Sequence, residues 1–166
     1  MSPSLATRTA LFLIAVGILS LGAALGSQYV WADLQPCVLC IYQRYPYVVV
    51  IALGVLMLLV SRKVKLAALL AALGAVALFV DAGIAGFHVG VEQHWWAGTA
   101  ACTSQFDPNL TLEELQKLIE AAPVVPCDVP AWEMFGISMA GYNLLYAMAT
   151  GVIAAILSSR LFRSAR

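Results

Sequence analysis

Long runs of apolar residues dominate the pattern of the chain. Four such segments lie at about residues 9–30, 45–60, 64–87 and 137–157. Each is near the length of about 20 apolar residues that a helix needs to cross roughly 30 Å of hydrocarbon. The second segment is the shortest, and it reaches full length only if residues 41–44 or 61–62 extend it. The pattern therefore predicts four membrane spans.

The spans are expected to be helical because unpaired backbone groups are costly in lipid, and no segment shows the alternating pattern of a membrane barrel strand. The predicted fold class is all-α: an integral membrane four-helix bundle forming one domain over residues 1–166. Two non-cytoplasmic loops are expected, the longer at residues 88–135. Small residues allow close helix packing in membranes, and the spacings Gly22/Gly26 and Gly86/Gly90 predict such contacts.

The composition agrees with this interpretation. Of 166 residues, 62% are hydrophobic and 11% are charged, whereas soluble domains carry about 25% charged residues. No cluster of lysine and arginine interleaved with aromatic residues is present, so nucleic-acid binding is excluded. The first segment, which follows Arg8, has an alternative interpretation as a cleaved signal peptide, although its apolar region is long for one.

The distribution of charge predicts the orientation. Seven of the nine basic residues flank one side of the predicted spans, namely Arg8, Arg62, Lys63, Lys65, Arg160, Arg163 and Arg166. By the positive-inside rule that side is cytoplasmic and holds both termini. All four cysteines lie on the other side, with eight of the nine acidic residues. Cysteines in an oxidising compartment can persist as disulfides.

The ninth acidic residue, Asp81, falls inside the third span. A charged residue inside a membrane indicates either function or a polar partner. Asp81 lies about five residues from the outer end of the span, so a hydrogen-bonded structural role is an equal alternative.

Cys37 and Cys40 form a C-x-x-C pair at the entrance to the second span. If a helix begins near Cys40, Arg44 lies on the same face, with Cβ atoms about 5–6 Å apart. Its guanidinium could stabilise a Cys40 thiolate or donate hydrogen bonds to a ligand carbonyl. Half of a zinc site and an inert structural bridge are the alternatives. Haem attachment is excluded because Ile41 occupies the position that histidine requires.

Cys102 and Cys127 lie in the long outer loop. A disulfide between them would stabilise the fold by about 3–4 kcal/mol in the loop-entropy account, so a purely structural bridge is a serious alternative. Four cysteines allow three pairings. Two disulfides on one side of the membrane are also suited to exchange in series through mixed disulfides. The electrons then need an acceptor, and a membrane site beside Arg44 suits a lipid-soluble one.

The segment P-C-V-L-C-I-Y-Q-R at residues 36–44, together with Cys102, Cys127 and W-E-M-F-G-I-S-M-A at 132–140, resembles the bacterial disulfide bond formation protein B family, DsbB. The resemblance covers nearly the whole chain. It implies a protein-disulfide oxidoreductase of the bacterial inner membrane, with its cysteine loops in the periplasm. Such a protein reoxidises a periplasmic DsbA-type thiol oxidase and passes the electrons to ubiquinone or menaquinone.

The resemblance also implies a role for each cysteine. Cys102 is similar to the sulfur that the partner's thiolate attacks, and Cys127 to the thiol released by that attack. Cys37 would then exchange with Cys127. Cys40 is similar to the cysteine whose thiolate contacts the quinone.

Three further residues resemble those that bind the quinone. Arg44 resembles the arginine that holds the quinone oxygen, and Met139 a residue that lines the ring's site. The family often places a polar residue after the third span, and His88 is our choice for it, in competition with Glu92, Gln93 and His94.

Two other functions remain open at this point. One is a tetraspan accessory protein without enzymatic activity, whose two disulfides are structural. The other is a quinone-linked enzyme of the vitamin K epoxide reductase type, which also pairs C-x-x-C with a helix bundle. Loop order and the W-E-M-F-G segment favour DsbB by analogy.

Overall fold

The structure is a computed structural model that describes residues 4–31, 34–99, 102, 111, 113–114, 116 and 125–165. Within this part of the chain the helices are α1 (Leu5–Gly26), α2 (Val38–Tyr42), α3 (Arg44–Leu59), α4 (Val64–Glu92) and α5 (Met139–Ser164). A π-helical turn, Ser27–Trp31, continues α1. Strands β1 (Glu133–Met134) and β2 (Ile137–Ser138) form an antiparallel hairpin before α5.

The predicted all-α membrane fold is confirmed. Four helical segments are long and apolar enough to cross a bilayer, with mean hydropathies between 1.6 and 2.2: Leu5–Val30, Val38–Leu59, Val64–Glu92 and Met139–Ser164. The second apolar segment gains its length from α2 at the end that carries the cysteines. A break at Gln43 separates α2 from α3, because the ring of Pro46 cannot donate to the Tyr42 carbonyl and would clash with it.

The hairpin fixes where the last span begins. Phe135 and Gly136 both have positive φ, 53° and 75°, as a two-residue turn that matches strand twist requires. Ser138 ends β2 and caps α5, since its Oγ accepts a hydrogen bond from the Gly141 N–H at 3.1 Å. The capped start of α5 therefore lies at the same end of the bundle as the cysteines.

Glycine packing follows the sequence prediction only in part, since an added Cβ would meet Leu144 at Gly86 and the Trp96 ring at Gly90. Helices α1 and α3 contact each other at Gly54, where an added Cβ would lie 2.7 Å from Ile14 Cγ1 and 3.0 Å from the Ala10 carbonyl oxygen. An added Cβ at Gly22 would meet no atom within 4 Å. Because contact depends on the three-dimensional position of a glycine rather than on its spacing, Gly54 makes the close contact and Gly22 does not.

We expect Gly54→Val to destabilise the bundle by about 1–3 kcal/mol, because the new side chain overpacks the α1–α3 contact. The free energy of unfolding in a mixed-micelle denaturation series measures the effect. Gly22→Val is the matched control, since it adds the same atoms to open space and is expected to change that free energy by only about 0.5 kcal/mol. Equal losses in the two variants would contradict this account of the packing.

Candidate functional site

The first cysteine pair lies at the start of α2. Cys37 is the N-cap residue, and its Sγ accepts a hydrogen bond from the Cys40 N–H at 3.2 Å. The two sulfur atoms are free thiols 2.9 Å apart and hydrogen-bonded to each other. The C-x-x-C spacing places both sulfurs on the first turn, because a capping side chain reaches the N–H three residues along the helix. The pair is one oxidation step from a disulfide.

The environment of Cys37 lowers the pKa of its thiol. Its hydrogen bond with Cys40 is the main reason why the pKa of Cys37 is lowered to about 4; burial opposes this effect, and the neighbouring His88 ring supports it. Unperturbed thiols have a pKa of about 8.5. The lowered pKa favours a thiolate at Cys37.

This assignment gives a testable pH dependence. A group whose pKa is lowered stays charged until the pH falls through that lowered value. In a Cys102→Ser/Cys127→Ser background, we expect the thiolate ultraviolet absorbance of the reduced pair to persist down to about pH 4. Cys40→Ala removes the sulfur that is hydrogen-bonded to Cys37 and should move the loss of absorbance to higher pH. Cys40→Ser keeps a hydroxyl group at that position, and its curve should lie between the two; coincident curves would contradict the assignment.

His88 connects α4 to the first pair. Its Nε2 lies 3.6 Å from Cys37 Sγ and 3.8 Å from Glu92 Oε1. Its Nδ1 lies 2.9 Å from Gln43 Nε2, and the Cys127 backbone is also hydrogen-bonded to the ring. The ring, only 3% exposed, thus touches residues of both cysteine pairs.

Glu92 links α4 to the beginning of α5. Its Oε2 accepts a hydrogen bond from the Ser138 hydroxyl, the same group that caps α5. Glu92 is buried beside His88, while Gln93 and His94 are exposed. Of the four polar residues considered after the third span, His88 therefore makes the contacts with the first cysteine pair, and Glu92 supports it.

The second cysteine pair is a disulfide between Cys102 and Cys127, with Cα atoms 5.2 Å apart. Both cysteines are 1% exposed, and they share one buried cluster with Cys37, Leu39 and Val91. Cys40 packs against the same cluster. The two cysteine pairs are therefore neighbours within one buried cluster.

A cavity of about 400 Å³ opens beside the first pair. Its walls are mostly apolar and come mainly from α1, α3 and α5, with further residues from α2, α4 and the connecting segments. All three residues predicted to bind a cofactor, Arg44, His88 and Met139, line it, and so does Cys40. Cys40 is thus in contact with both the cysteine cluster and the cavity.

Arg44 is the basic residue at the cavity. Its Nη1 donates to Gln28 Oε1 at 3.0 Å, which ties the side chain to the π-helical end of α1. Its Nε is buried and has no hydrogen-bond partner among the described residues. A buried N–H without a partner is costly, so a ligand oxygen in the cavity would satisfy it.

The zinc alternative can be tested against the sulfur spacing. Ligand atoms of Cys37, Cys40 and His88 lie within 4.8 Å of one another. Tetrahedral zinc with bonds of about 2.3 Å holds two sulfurs roughly 3.8 Å apart. The observed 2.9 Å is too short for two ligands of one ion, so this spacing favours a dithiol.

The model of the family described as disulfide bond formation protein DsbB matches residues 6–157. The chain belongs to the DsbB family. This membership makes it a multi-pass inner-membrane protein of disulfide bond formation, in a family whose names imply thiol–disulfide oxidoreductase activity. The DsbB family is generally associated with quinones and with a periplasmic thiol oxidase partner.

Three relatives show the extent of similarity to DsbB proteins. The disulfide bond formation protein B of Methylobacillus flagellatus is 27% identical over 89% of this chain and 88% of its own length. That of Herminiimonas arsenicoxydans is 29% identical over 77% of this chain and 86% of its own. The uncharacterized protein RP370 of Rickettsia prowazekii is 28% identical over 81% and 77%. No solved structure shows a significant match.

Two residues of the DsbB site were missed by sequence reasoning. Gln43 and Asn143 are hydrogen-bonded to each other at 2.8 Å, and Asn143 also reaches Asp81 at 2.9 Å. Gln43 lies within the segment at residues 36–44 but was given no role, and Asn143 belongs to no motif. The available signal was polarity alone, because an amide side chain inside an apolar span needs a partner there.

Proposed function

We propose that this chain is a quinone-dependent thiol–disulfide oxidoreductase that reoxidises a periplasmic DsbA-type thiol oxidase. Electrons pass from the partner to the Cys102–Cys127 pair, then to the Cys37–Cys40 pair, and finally to ubiquinone or menaquinone. The observation that carries the proposal is the shared buried cluster of the two pairs, with Cys40 also lining the cavity.

The first exchange takes place at the outer pair. A thiolate of the reduced partner attacks Cys102, the Cys102–Cys127 bond breaks, and Cys127 leaves as a thiolate. The partner's second thiol then attacks its own mixed disulfide and releases Cys102. The partner becomes a disulfide, while Cys102 and Cys127 together hold the two electrons and two protons.

The second exchange takes place inside the cluster. Cys127 attacks Cys37 of an oxidised Cys37–Cys40 pair, and Cys40 leaves as a thiolate. Cys102 then attacks Cys127, which re-forms the outer disulfide and releases Cys37. The products are a Cys102–Cys127 disulfide and a Cys37–Cys40 dithiol, the same pattern of bonds that the structure has.

The last step, electron transfer to the quinone, takes place in the cavity. Its volume, apolar walls and unpartnered Arg44 N–H fit a membrane quinone, which when bound supplies an acceptor of two electrons and two protons. Arg44 would hold a ring carbonyl oxygen, and Met139 would line the ring. Cys40 gives up its electrons on the cavity side as the Cys37–Cys40 bond re-forms. His88 is within reach of Cys37 and can hold a proton there.

The direction of electron transfer follows from the reduction potentials of the partners. A DsbA-type oxidase has a potential of about −120 mV, and each 30 mV or so in a two-electron couple changes the equilibrium tenfold. Structural disulfides with potentials below about −300 mV could not reoxidise it. The terminal acceptor therefore supplies the driving force.

We also propose that the chain is one domain with both termini in the cytoplasm. The turn between α3 and α4 carries Arg62, Lys63 and Lys65, and the end of α5 carries Arg160 and Arg163. These ends lie opposite the cysteine cluster along the helices. The positive-inside rule then places the cysteines in the periplasm.

The test is a reconstitution of purified protein with a reduced DsbA-type oxidase and quinone. We expect the quinone absorbance to fall in step with oxidation of the partner's thiols, one quinone per disulfide. An accessory protein with structural disulfides would leave the quinone unchanged. Oxidation of the partner without quinone consumption would reject the proposed acceptor.

A further inference from the structure

The buried Asp81 has no part in the electron transfer described above. Its side chain is 0% exposed within α4, seven residues before His88 on the same helix. Seven residues correspond to about two turns and roughly 10 Å of rise. Asp81 Oδ2 accepts a hydrogen bond from Asn143 Nδ2 at 2.9 Å, and this contact begins a chain of hydrogen bonds that leads to His88.

The amide of Asn143 has a fixed orientation. Its Nδ2 donates to Asp81 Oδ2 and to Gln43 Oε1. Its Oδ1 accepts from the Tyr47 hydroxyl at 2.7 Å. An amide nitrogen donates and an amide oxygen accepts, so rotating the group by half a turn would place two acceptors against its oxygen.

The amide of Gln43 is oriented in turn. Its Oε1 accepts from Asn143, and its Nε2 donates to the Leu39 carbonyl oxygen at 3.2 Å. The second hydrogen of Nε2 points to His88 Nδ1, 2.9 Å away. Because Nε2 can only donate, Nδ1 must accept and carries no proton.

We propose that Asp81 is a positioning residue that, through Asn143 and Gln43, holds the proton of neutral His88 on Nε2. That nitrogen lies 3.6 Å from Cys37 Sγ. The N–H thus lies on the side of the ring that faces Cys37 Sγ and Glu92 Oε1, because the hydrogen bond at one ring nitrogen decides which nitrogen carries the proton. The consequence for turnover rests on the proposed function, whereas the tautomer itself does not.

The role needs an acceptor oxygen rather than a charge. Asp81 Oδ2 can accept whether the carboxyl group is ionised or carries its proton on Oδ1. Asp81→Asn keeps an acceptor oxygen and is the conservative variant. Asp81→Leu removes this acceptor oxygen. Asn143 Nδ2 then loses one of the two hydrogen bonds that hold the amide nitrogen towards Gln43.

The test reads the tautomer directly by ¹⁵N NMR of histidine-labelled, reduced protein in nanodiscs, at a pH where the ring is neutral. The chain has two histidines, and His94→Asn leaves His88 as the sole signal. Asparagine suits position 94, where φ is 58°, because it tolerates that conformation. We expect the wild-type background to show the Nε2-protonated ring.

Three variants decide the outcome. Asp81→Leu should raise the Nδ1-protonated fraction about three- to tenfold, the equivalent of one lost hydrogen bond, and Asp81→Asn should not. Gln43→Glu presents a carboxylate oxygen to Nδ1 and should move the proton there. A wild-type ring protonated on Nδ1, or Asp81→Asn behaving like Asp81→Leu, would overturn the proposal.

The rate of quinone reduction is measured in parallel. It should fall about three- to tenfold in Asp81→Leu and stay unchanged in Asp81→Asn. If quinone reduction is absent in every variant while the tautomers shift as stated, it is the proposed function that fails.

Discussion

Cys40→Ser is expected to reduce quinone turnover to the uncatalysed background. Serine cannot close a disulfide with Cys37, so no oxidised inner pair exists to receive electrons from Cys127. The outer Cys102–Cys127 disulfide is intact in this variant, and it should still oxidise one equivalent of reduced partner. Quinone absorbance over many turnovers and partner thiols in a single turnover separate the two results.

A second variant completes the comparison. Cys102→Ser should abolish exchange with the partner because the attacked sulfur is missing. Its Cys37–Cys40 pair, once a small thiol has reduced it to the dithiol, should still react with quinone. Sustained quinone consumption by Cys40→Ser would show that the inner pair is not on the path of the electrons.

Arg44→Ala is expected to raise the quinone concentration needed for half-maximal rate by about 10- to 100-fold. The lost interaction is a hydrogen bond from a charged donor in a buried site, worth about 1.5–3 kcal/mol, and each 1.4 kcal/mol or so is tenfold in affinity. Steady-state rates over a quinone series measure it. The effect should fall mainly on apparent affinity, because Arg44 binds the ring oxygen and exchanges no electrons.

Two control variants test whether the change in apparent quinone affinity comes from the hydrogen bonds of Arg44 or only from the loss of a positive charge. Arg44→Lys keeps the charge but lacks the planar fork of donors, so its half-maximal concentration should lie between those of wild type and alanine. Arg62→Ala removes an exposed arginine from the turn at the other end of the bundle, and it should behave as wild type. An unchanged quinone dependence in Arg44→Ala would reject its proposed role.

The spans could be predicted from the sequence because lipid imposes a simple rule: each helix must be long and apolar. The cavity residues Arg44, His88 and Met139 came from family resemblance, and the structure brings them to one cavity. The spacing of Thr111 and Glu114 predicts a capping box at the start of a short amphipathic helix, and the Thr111 hydroxyl does donate to Glu114 Oε2 at 2.7 Å. The rest of the helix predicted after them lies outside the described residues.

Contacts between distant residues could not be predicted in this way. Asn143 meets Asp81 across 62 positions and Gln43 across 100, and no spacing along the chain encodes either contact. The break at Gln43 and the hairpin before α5 depend on Pro46 and on two residues with positive φ, features that resemble ordinary helix and loop in a hydropathy profile. The close packing at Gly54 likewise depends on the position of α1 in three dimensions, which the sequence around Gly54 does not show.

The burial of the outer disulfide has a consequence for selectivity. Cys102 and Cys127 are each 1% exposed, so a small thiol has little access to either sulfur of this disulfide. A reaction partner must first expose these sulfur atoms, and only a protein that binds the surrounding surface can recover that cost through its own contacts. Under the proposed function, oxidation would thereby be restricted to such a protein partner and would not extend to every free thiol of the periplasm.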